Sequence, residues 1–176
     1  MPVDEVRIPK ERIAIFVGKN GADKKILEMK THTKLKIDSY DGMITIEGEA
    51  LDVFNAKPII KAIGRGFNPI IAEELLNEDY AFELVDIKDF AKTKNDIMRI
   101  RARIIGRKGG CRKNIEDITN TKIVVYGRTV GIIGSLNNCM IAKQGVEKLL
   151  SGSKHGSVYS WIERKKKEYK TINQPI

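Results

Sequence analysis

"IIGRKGGCRKNIEDITNTKI", residues 104–123, decides the fold. Gly106 and Gly109 enclose Arg107 and Lys108, with helix-like sequence on both sides and a β-branched stretch beyond. A G-x-x-G joining two helices lets the backbone reverse through conformations that residues with a Cβ disfavour. It also leaves the first amides of the second helix without intrahelical partners, at the positive end of the helix dipole. A phosphate fits there, and without side chains on the glycines a sugar-phosphate chain can approach closely. Alone, such a turn means little, because a glycine-rich helix turn is often only a tight connection.

The turn is not alone. Set "RIAIFVGKNGADKKILEMKTHTKLKID" above "IRARIIGRKGGCRKNIEDITNTKIVVY", and Gly18 falls on Gly106 and Gly21 on Gly109, an offset of 88. Ala14/Ala102, Lys25/Lys113, Glu28/Glu116, Thr31/Thr119, Thr33/Thr121 and Lys34/Lys122 match at that offset. After a two-residue contraction, Gly48 meets Gly134, Ala56 meets Ala142, Lys57 meets Lys143 and Gly66 meets Gly152. A match of this length is a duplicated folding unit rather than a local motif.

Each copy reads in one order: a strand (about 3–8, about 80–87), a short helix ending at the first glycine, and a second helix after the second glycine. Asp23 favours that second helix start. "KLKID" and "TKIVVY", then "MITIEG" and "TVGIIG", read as strands, and a longer helix closes the unit. The pattern predicts an α+β chain of two β-α-α-β-β-α modules, over 1–67 and 80–152. Between them, 68–79 predicts a connecting helix with Pro69 near its start and an apolar stripe of Ile70, Ile71, Leu75 and Leu76. Over 153–176 a basic helix and tail follow, with Val158, Trp161, Ile162 and Tyr169 on one face.

Thirty-two Lys and Arg against 23 Asp and Glu give a net charge of +9, which favours polyanionic partners. No apolar run reaches signal-peptide or membrane-spanning length, so an intracellular, cytoplasmic place is expected, with no membrane partner. Two cysteines and two histidines without metal spacing predict no metal and no cofactor. Cys111, just after the turn, is either a thiol activated at a helix start or a small packed residue.

With two G-x-x-G turns in register, each in a helix–turn–helix–strand setting, the sequence resembles the KH family of single-strand nucleic-acid-binding modules. "IPKERIAIFVGKNG" and "RARIIGRKGG" resemble its first helix and signature loop, and the element order is that of the eukaryotic-type (type I) fold. The resemblance implies a groove for about four nucleotides, clamped on one side by the loop. RNA-binding residues would be Gly18, Lys19, Asn20 and Gly21 in the first turn, and Gly106, Arg107, Lys108 and Gly109 in the second. The apolar floor would be Ala14, Val17 and Ile37, and Ala102, Ile105 and Val125; Ile37 and Val125 read equally as core. Where KH modules usually place an aliphatic residue, this chain has Lys24 and Arg112. These cations either reach the bound strand or belong to a solvated face.

"AIGRGFNPIIAEELL" and "GSKHGSVYSWIERKKKEYK" resemble the archaeal and eukaryotic KH proteins that assist small-ribosomal-subunit maturation. That implies a non-catalytic factor bound to single-stranded RNA at the 3′ region of the small-subunit (pre-)rRNA. The implied protein partners are the Nob endonuclease and the alpha subunit of translation initiation factor two. Four rivals stand against it: a KH adaptor in RNA decay or translation, a single-stranded DNA binder, an adaptor whose modules mainly grip protein, and a metal-dependent nuclease. For the last, Glu83, Asp86 and Asp89 would have to converge, yet on one strand Asp86 would face away from the other two.

Overall fold

In the computed structural model, which describes residues 2–173, the chain divides into two compact units, Met1–Tyr80 and Ala81–Ile176. Met1 and the end of the tail, 174–176, lie outside the described residues.

The first unit runs β1 (Val3–Arg7), α1 (Lys10–Val17), a 3-10 turn (Lys19–Gly21), α2 (Ala22–Thr31), β2 (Lys34–Asp38), β3 (Met43–Glu47) and α3 (Ala50–Gly64). β3 lies between β1 and β2 and pairs antiparallel with both, with Ile44 opposite Val6 and Ile37. Alternation along β3 turns Ile44 and Ile46 inward, where they are fully buried beneath the helices with Phe16, Leu27 and Ile60. Burying side chains of this size contributes about 1.5–3 kcal/mol each.

The second unit repeats the plan with β4 (Tyr80–Asp86), α5 (Lys94–Ile105), a 3-10 turn (Arg107–Gly109), α6 (Gly110–Thr119), β5 (Lys122–Tyr126), β6 (Thr129–Ser135) and α7 (Leu136–Leu150). Strand β6 is central, between β4 and β5. α5 starts on a reciprocal cap: Thr93 Oγ1 accepts from Asp96 N–H at 3.1 Å while the Asp96 carboxylate accepts from Thr93 N–H at 3.2 Å.

The predicted β-α-α-β-β-α order is present twice. Two details differ from expectation. The connecting helix is short: α4 (Pro69–Ala72), capped by Asn68 and followed by a 3-10 turn (Glu73–Leu76). Its buried residues are Pro69 and Ala72, while Ile70 is 75% exposed, so the expected Ile70–Leu76 stripe does not form the packed face. Four residues of α-helix are too few to present a stripe of period 3.6. α8 (His155–Ile172) does dock on α6 and α7 of its own unit through buried Val158 and Ile162, but Tyr169 is exposed. Gly145 admits that packing, since a Cβ there would lie 2.6 Å from Ile162 Cδ1.

Several residues shared between the copies prove to be joints of the scaffold. Thr31 and Thr33 exchange a buried hydroxyl hydrogen bond at 2.7 Å, as Thr119 and Thr121 do at 2.8 Å. Glu28 Oε1 accepts from Leu35 N–H and Glu116 Oε1 from Ile123 N–H, each at 2.7 Å, tying the second helix to the strand after it.

Candidate nucleic-acid interface

Both G-x-x-G turns have one backbone shape. Gly18 and Gly106 sit at φ 72°, ψ 177° and φ 74°, ψ 176°, a region open essentially only to glycine. Asn20 and Lys108 follow at φ 54° and 53°, and Gly21 and Gly109 at φ 76° and 75°. The two glycines of each turn have different reasons to be there. A Cβ on Gly106 would lie 2.6 Å from Cys111 Cβ and 2.7 Å from its backbone nitrogen, so this glycine is required by close packing. A Cβ on Gly21 or Gly109 would meet nothing within 4 Å. That side of the turn is open to a ligand.

The donor pattern departs from the expected row of orphan amides at the helix start. Gly21 N–H donates to Gly18 O at 3.2 Å and Ala22 N–H to Lys19 O; Gly109 N–H donates to Gly106 O at 3.2 Å and Gly110 N–H to Arg107 O. The 3-10 turn takes up the amides that an abrupt helix start would leave free. The exposed tips Lys19 and Asn20, or Arg107 and Lys108, therefore form the positive edge of the turn.

Beneath the turns the modules diverge. The Asp23 carboxylate of the first occupies the space a Cβ on Gly18 would need, so a negative charge underlies a turn with one cation. In the second module Cys111 stands at the corresponding place, buried, with its thiol pKa raised by burial. The thiol is thus neutral and packed, which settles the alternative left open by the sequence. Tyr159 of α8 lies beside Cys111 and Asn114, and its own pKa is pushed up to about 12, mainly by burial. The second turn thus carries two cations over a neutral floor, where the first carries one cation over a carboxylate.

Beside the second turn lies a cleft of about 240 Å3 lined by Ile105, Arg112, Ile123, Val124 and Val125. Three residues singled out from sequence, Ile105 on α5, Arg112 on α6 and Val125 on β5, thus meet in one place. Ala102, three residues before Ile105 and so on the same helix face, is exposed. In the first module Ala14 is exposed, and Val17, Lys24 and Ile37 are half-buried.

Lys24 and Arg112 are neither free probes nor merely solvated. Lys24 Nζ lies 3.3 Å from Glu28, and Arg112 Nη1 donates to Glu116 at 3.1 Å and to Ile123 O at 2.9 Å. Each cation is braced by the glutamate that ties its helix to the next strand. Arg112 keeps Nε and Nη2 as further donors at the wall of the cleft.

Sequence reasoning passed over the braces behind these helices. Arg12 donates to Ile63 O at 2.8 Å and to Phe67 O, while Arg103 donates to Leu149 O at 3.3 Å and to Ser153 O. The four carbonyls correspond between the modules, but the arginines do not align, because Arg12 falls opposite Ile100. A comparison that tolerated a one-turn shift along the helix would have found the pair.

The acidic trio does not converge. Glu83 pairs with Lys143 at 2.8 Å, Asp86 accepts from Lys88 N–H at 2.9 Å, and Asp89 lies beyond the strand in a 3-10 turn (Ile87–Phe90) rather than sharing a strand face with Glu83. Among the described residues no group of three or more His, Cys, Asp or Glu is placed to hold a metal, and no helix is long and apolar enough to cross a membrane.

Comparison with known proteins agrees with the fold. Residues 81–167 match the eukaryotic-type KH domain (KH-domain type I), and residues 3–62 match the KH domain. The chain is 41% identical over 173 residues to a KH domain-containing protein of Methanocaldococcus jannaschii, covering 96% of this chain and 76% of that protein. It is 30% identical to the pre-rRNA-processing protein PNO1 of Chaetomium thermophilum, across 76% of this chain and 52% of that one, so it spans about half the length of this eukaryotic relative. Among solved structures, Dim2p from Pyrococcus horikoshii is 44% identical with a TM-score of 0.87, covering 93% of this chain and 99% of that one. A complex of a/eIF2alpha, aDim2p and rRNA from the same organism includes a chain 44% identical to this one, with a TM-score of 0.88 and 95% of each chain covered.

Proposed function

We infer the function from one premise: the chain belongs to the KH family, and within it to the group that includes the PNO1 and Dim2 proteins. It is an RNA-binding protein of small-subunit ribosome biogenesis that takes the 3′ region of the small-subunit (pre-)rRNA as an unpaired strand. It acts by binding and positioning, without catalysis, in the cytoplasm. The residues doing this are the two turns, the floor residues Ala14, Val17, Ile37, Ala102, Ile105 and Val125, and the braced cations Lys24 and Arg112. The division into modules over 1–67 and 80–152, with a joining segment and a C-terminal extension, belongs to the same reading.

One observation carries it: Ile105, Arg112 and Val125 line a single cleft beside a glycine turn whose outer side is open and doubly positive. A KH groove needs such a floor and such a clamp. The alpha subunit of translation initiation factor two is the favoured protein partner, because a relative 44% identical is found with a/eIF2alpha and rRNA. The Nob endonuclease is a further partner, resting on the resemblance alone.

Crosslinking the protein to cellular RNA tests the assignment. Sites concentrated at the 3′ end of the small-subunit rRNA are expected. Sites scattered over messenger RNA would favour a general adaptor, and tighter binding to a matched DNA oligonucleotide would favour a single-stranded DNA binder.

A further inference from the structure

A second concave surface of the same unit lies away from the glycine turn, where the end of α7 faces the first half of α8. Lys148, Ser153, Ser157, Ser160, Trp161 and Arg164 line a cleft of about 260 Å3 there. An adjoining one shares Lys148, Ser153 and Trp161 and extends to Gln144 and Ser151. Ser157, Ser160, Trp161 and Arg164 follow the spacing of one helix face, so α8 presents hydroxyls, an indole and a guanidinium as a stripe. This stripe adjoins the Val158 and Ile162 face that docks α8.

Three features give this place a chemistry. Trp161 is only half-buried and is shared by both clefts, and the Lys148 ammonium stands 4.8 Å from its ring centroid. A cation held over an aromatic face marks a surface on which another flat or charged group can sit. Apart from Val158 at the floor of the first cleft and Gln144 in the second, the side chains around the indole are cationic or hydroxylic, with Glu147 the one acid lining the adjoining cleft. Such a lining offers donors to phosphate and sugar oxygens, and it lacks the set of apolar pockets with which a peptide helix or strand is usually gripped. Lastly, Ser153 is tied to the binding module: its carbonyl accepts from Arg103, which precedes Gly106 by three residues on α5. The wall of the cleft is therefore fastened to the helix that leads into the second turn.

We propose that this cleft is an auxiliary subsite for unpaired RNA, with Trp161 as a stacking platform for one base and Lys148 and Arg164 holding the phosphates beside it. An arriving base displaces the Lys148 ammonium from the ring and gives it a phosphate partner, so the charge exchanges one electrostatic contact for another. The inference rests on the reading of the glycine-turn groove as an RNA site, and it adds nucleotides beyond the four or so that a KH groove takes.

Trp161 is the only tryptophan in the chain, so its fluorescence reports on the cleft alone. The full chain is titrated with single-stranded RNA of about four and about twelve nucleotides. The longer RNA is expected to quench Trp161, and the shorter to bind without quenching. Trp161→Ala is expected to weaken binding of the longer RNA about tenfold, within the range for one stacked base, and to leave the shorter unchanged. Lys148→Ala with Arg164→Ala, which keeps the indole in place, should give a similar loss and guards against a packing defect. Long RNA that binds without quenching, and equally to wild type and to both variants, would overturn the proposal. So would quenching by an acidic peptide but not by RNA, which would assign the cleft to a protein. Failure of the groove reading shows separately, as undiminished four-nucleotide binding after Arg107→Asp and Lys108→Asp.

Discussion

The two glycines of the second turn should respond differently to one added methyl group. At Gly106 (φ 74°, ψ 176°) alanine must adopt a backbone region that is nearly exclusive to glycine, at a cost of about 1–3 kcal/mol. Its Cβ would also lie 2.6 Å from Cys111 Cβ and 2.7 Å from the Cys111 nitrogen, and moving α6 away from α5 adds about 1–3 kcal/mol of overpacking. Gly106→Ala should therefore destabilise the second unit by about 2–6 kcal/mol. At Gly109 (φ 75°, ψ 11°) the strain is that of a single left-handed residue, about 1–2 kcal/mol, and nothing stands within 4 Å of the new atom. Gly109→Ala should fold almost normally while its methyl obstructs the side from which a phosphate arrives, lowering RNA affinity about tenfold, or about 1.4 kcal/mol. Urea denaturation followed by circular dichroism gives the stabilities, and fluorescence anisotropy with a labelled oligonucleotide gives the affinities. If Gly106→Ala proves as stable as Gly109→Ala, the packing argument fails. If Gly109→Ala binds RNA like the wild type, the open side of the turn is not the phosphate's approach.

Reversing Arg107 and Lys108 to Asp should lower RNA affinity by orders of magnitude in a filter-binding assay, at about 1.5–3 kcal/mol per charge-assisted contact, whereas the same change at Lys19 should cost less because Asp23 already offsets that turn. Glu116→Ala strands the Ile123 amide and unbraces Arg112, and should cost about 1–3 kcal/mol in denaturant unfolding along with part of the RNA affinity. Ile162→Ala opens a cavity under α8 and should destabilise the chain by about 2–5 kcal/mol, read from the shift of the urea midpoint. Hydrogen bonds from the Lys92 and Thr93 amides and the Thr93 hydroxyl, with Arg99 beside them, hold the Asp96 carboxyl below its ordinary value of 3.8. A folded-state pKa depressed in this way gives stability that is present above 3.8 and is lost as pH falls through the lower folded value. The melting temperature of wild type should therefore exceed that of Asp96→Asn at neutral pH, and the gap should close in acid; a gap independent of pH would remove the carboxylate from the cap.

The division between sequence and tertiary structure follows the range of the forces involved. Glycine spacing, helix period and β alternation are local, and the duplication states them twice, so the α+β order of both modules and the two basic turns are legible in the residues alone. The matched threonines and glutamates were visible as well, but as identities without a role: that Glu28 and Glu116 brace a cation and a strand amide at once depends on residues seven apart meeting across a turn. Asp23 read as a favourable helix start, which it is locally; only the fold showed that it sits under Gly18 and offsets the charge of its own turn, while neutral Cys111 takes that place in the other. The joining helix was overestimated because Ile70 suits a buried face by composition, and exposure is decided by what packs alongside. The cleft at Trp161 had no signature at all, since Lys148 and Trp161 come together only when α8 folds back on α7. Sequence fixes what each segment prefers; which side chains share a cavity is settled by helices closing over a sheet, where contacts distant along the chain outweigh local preference.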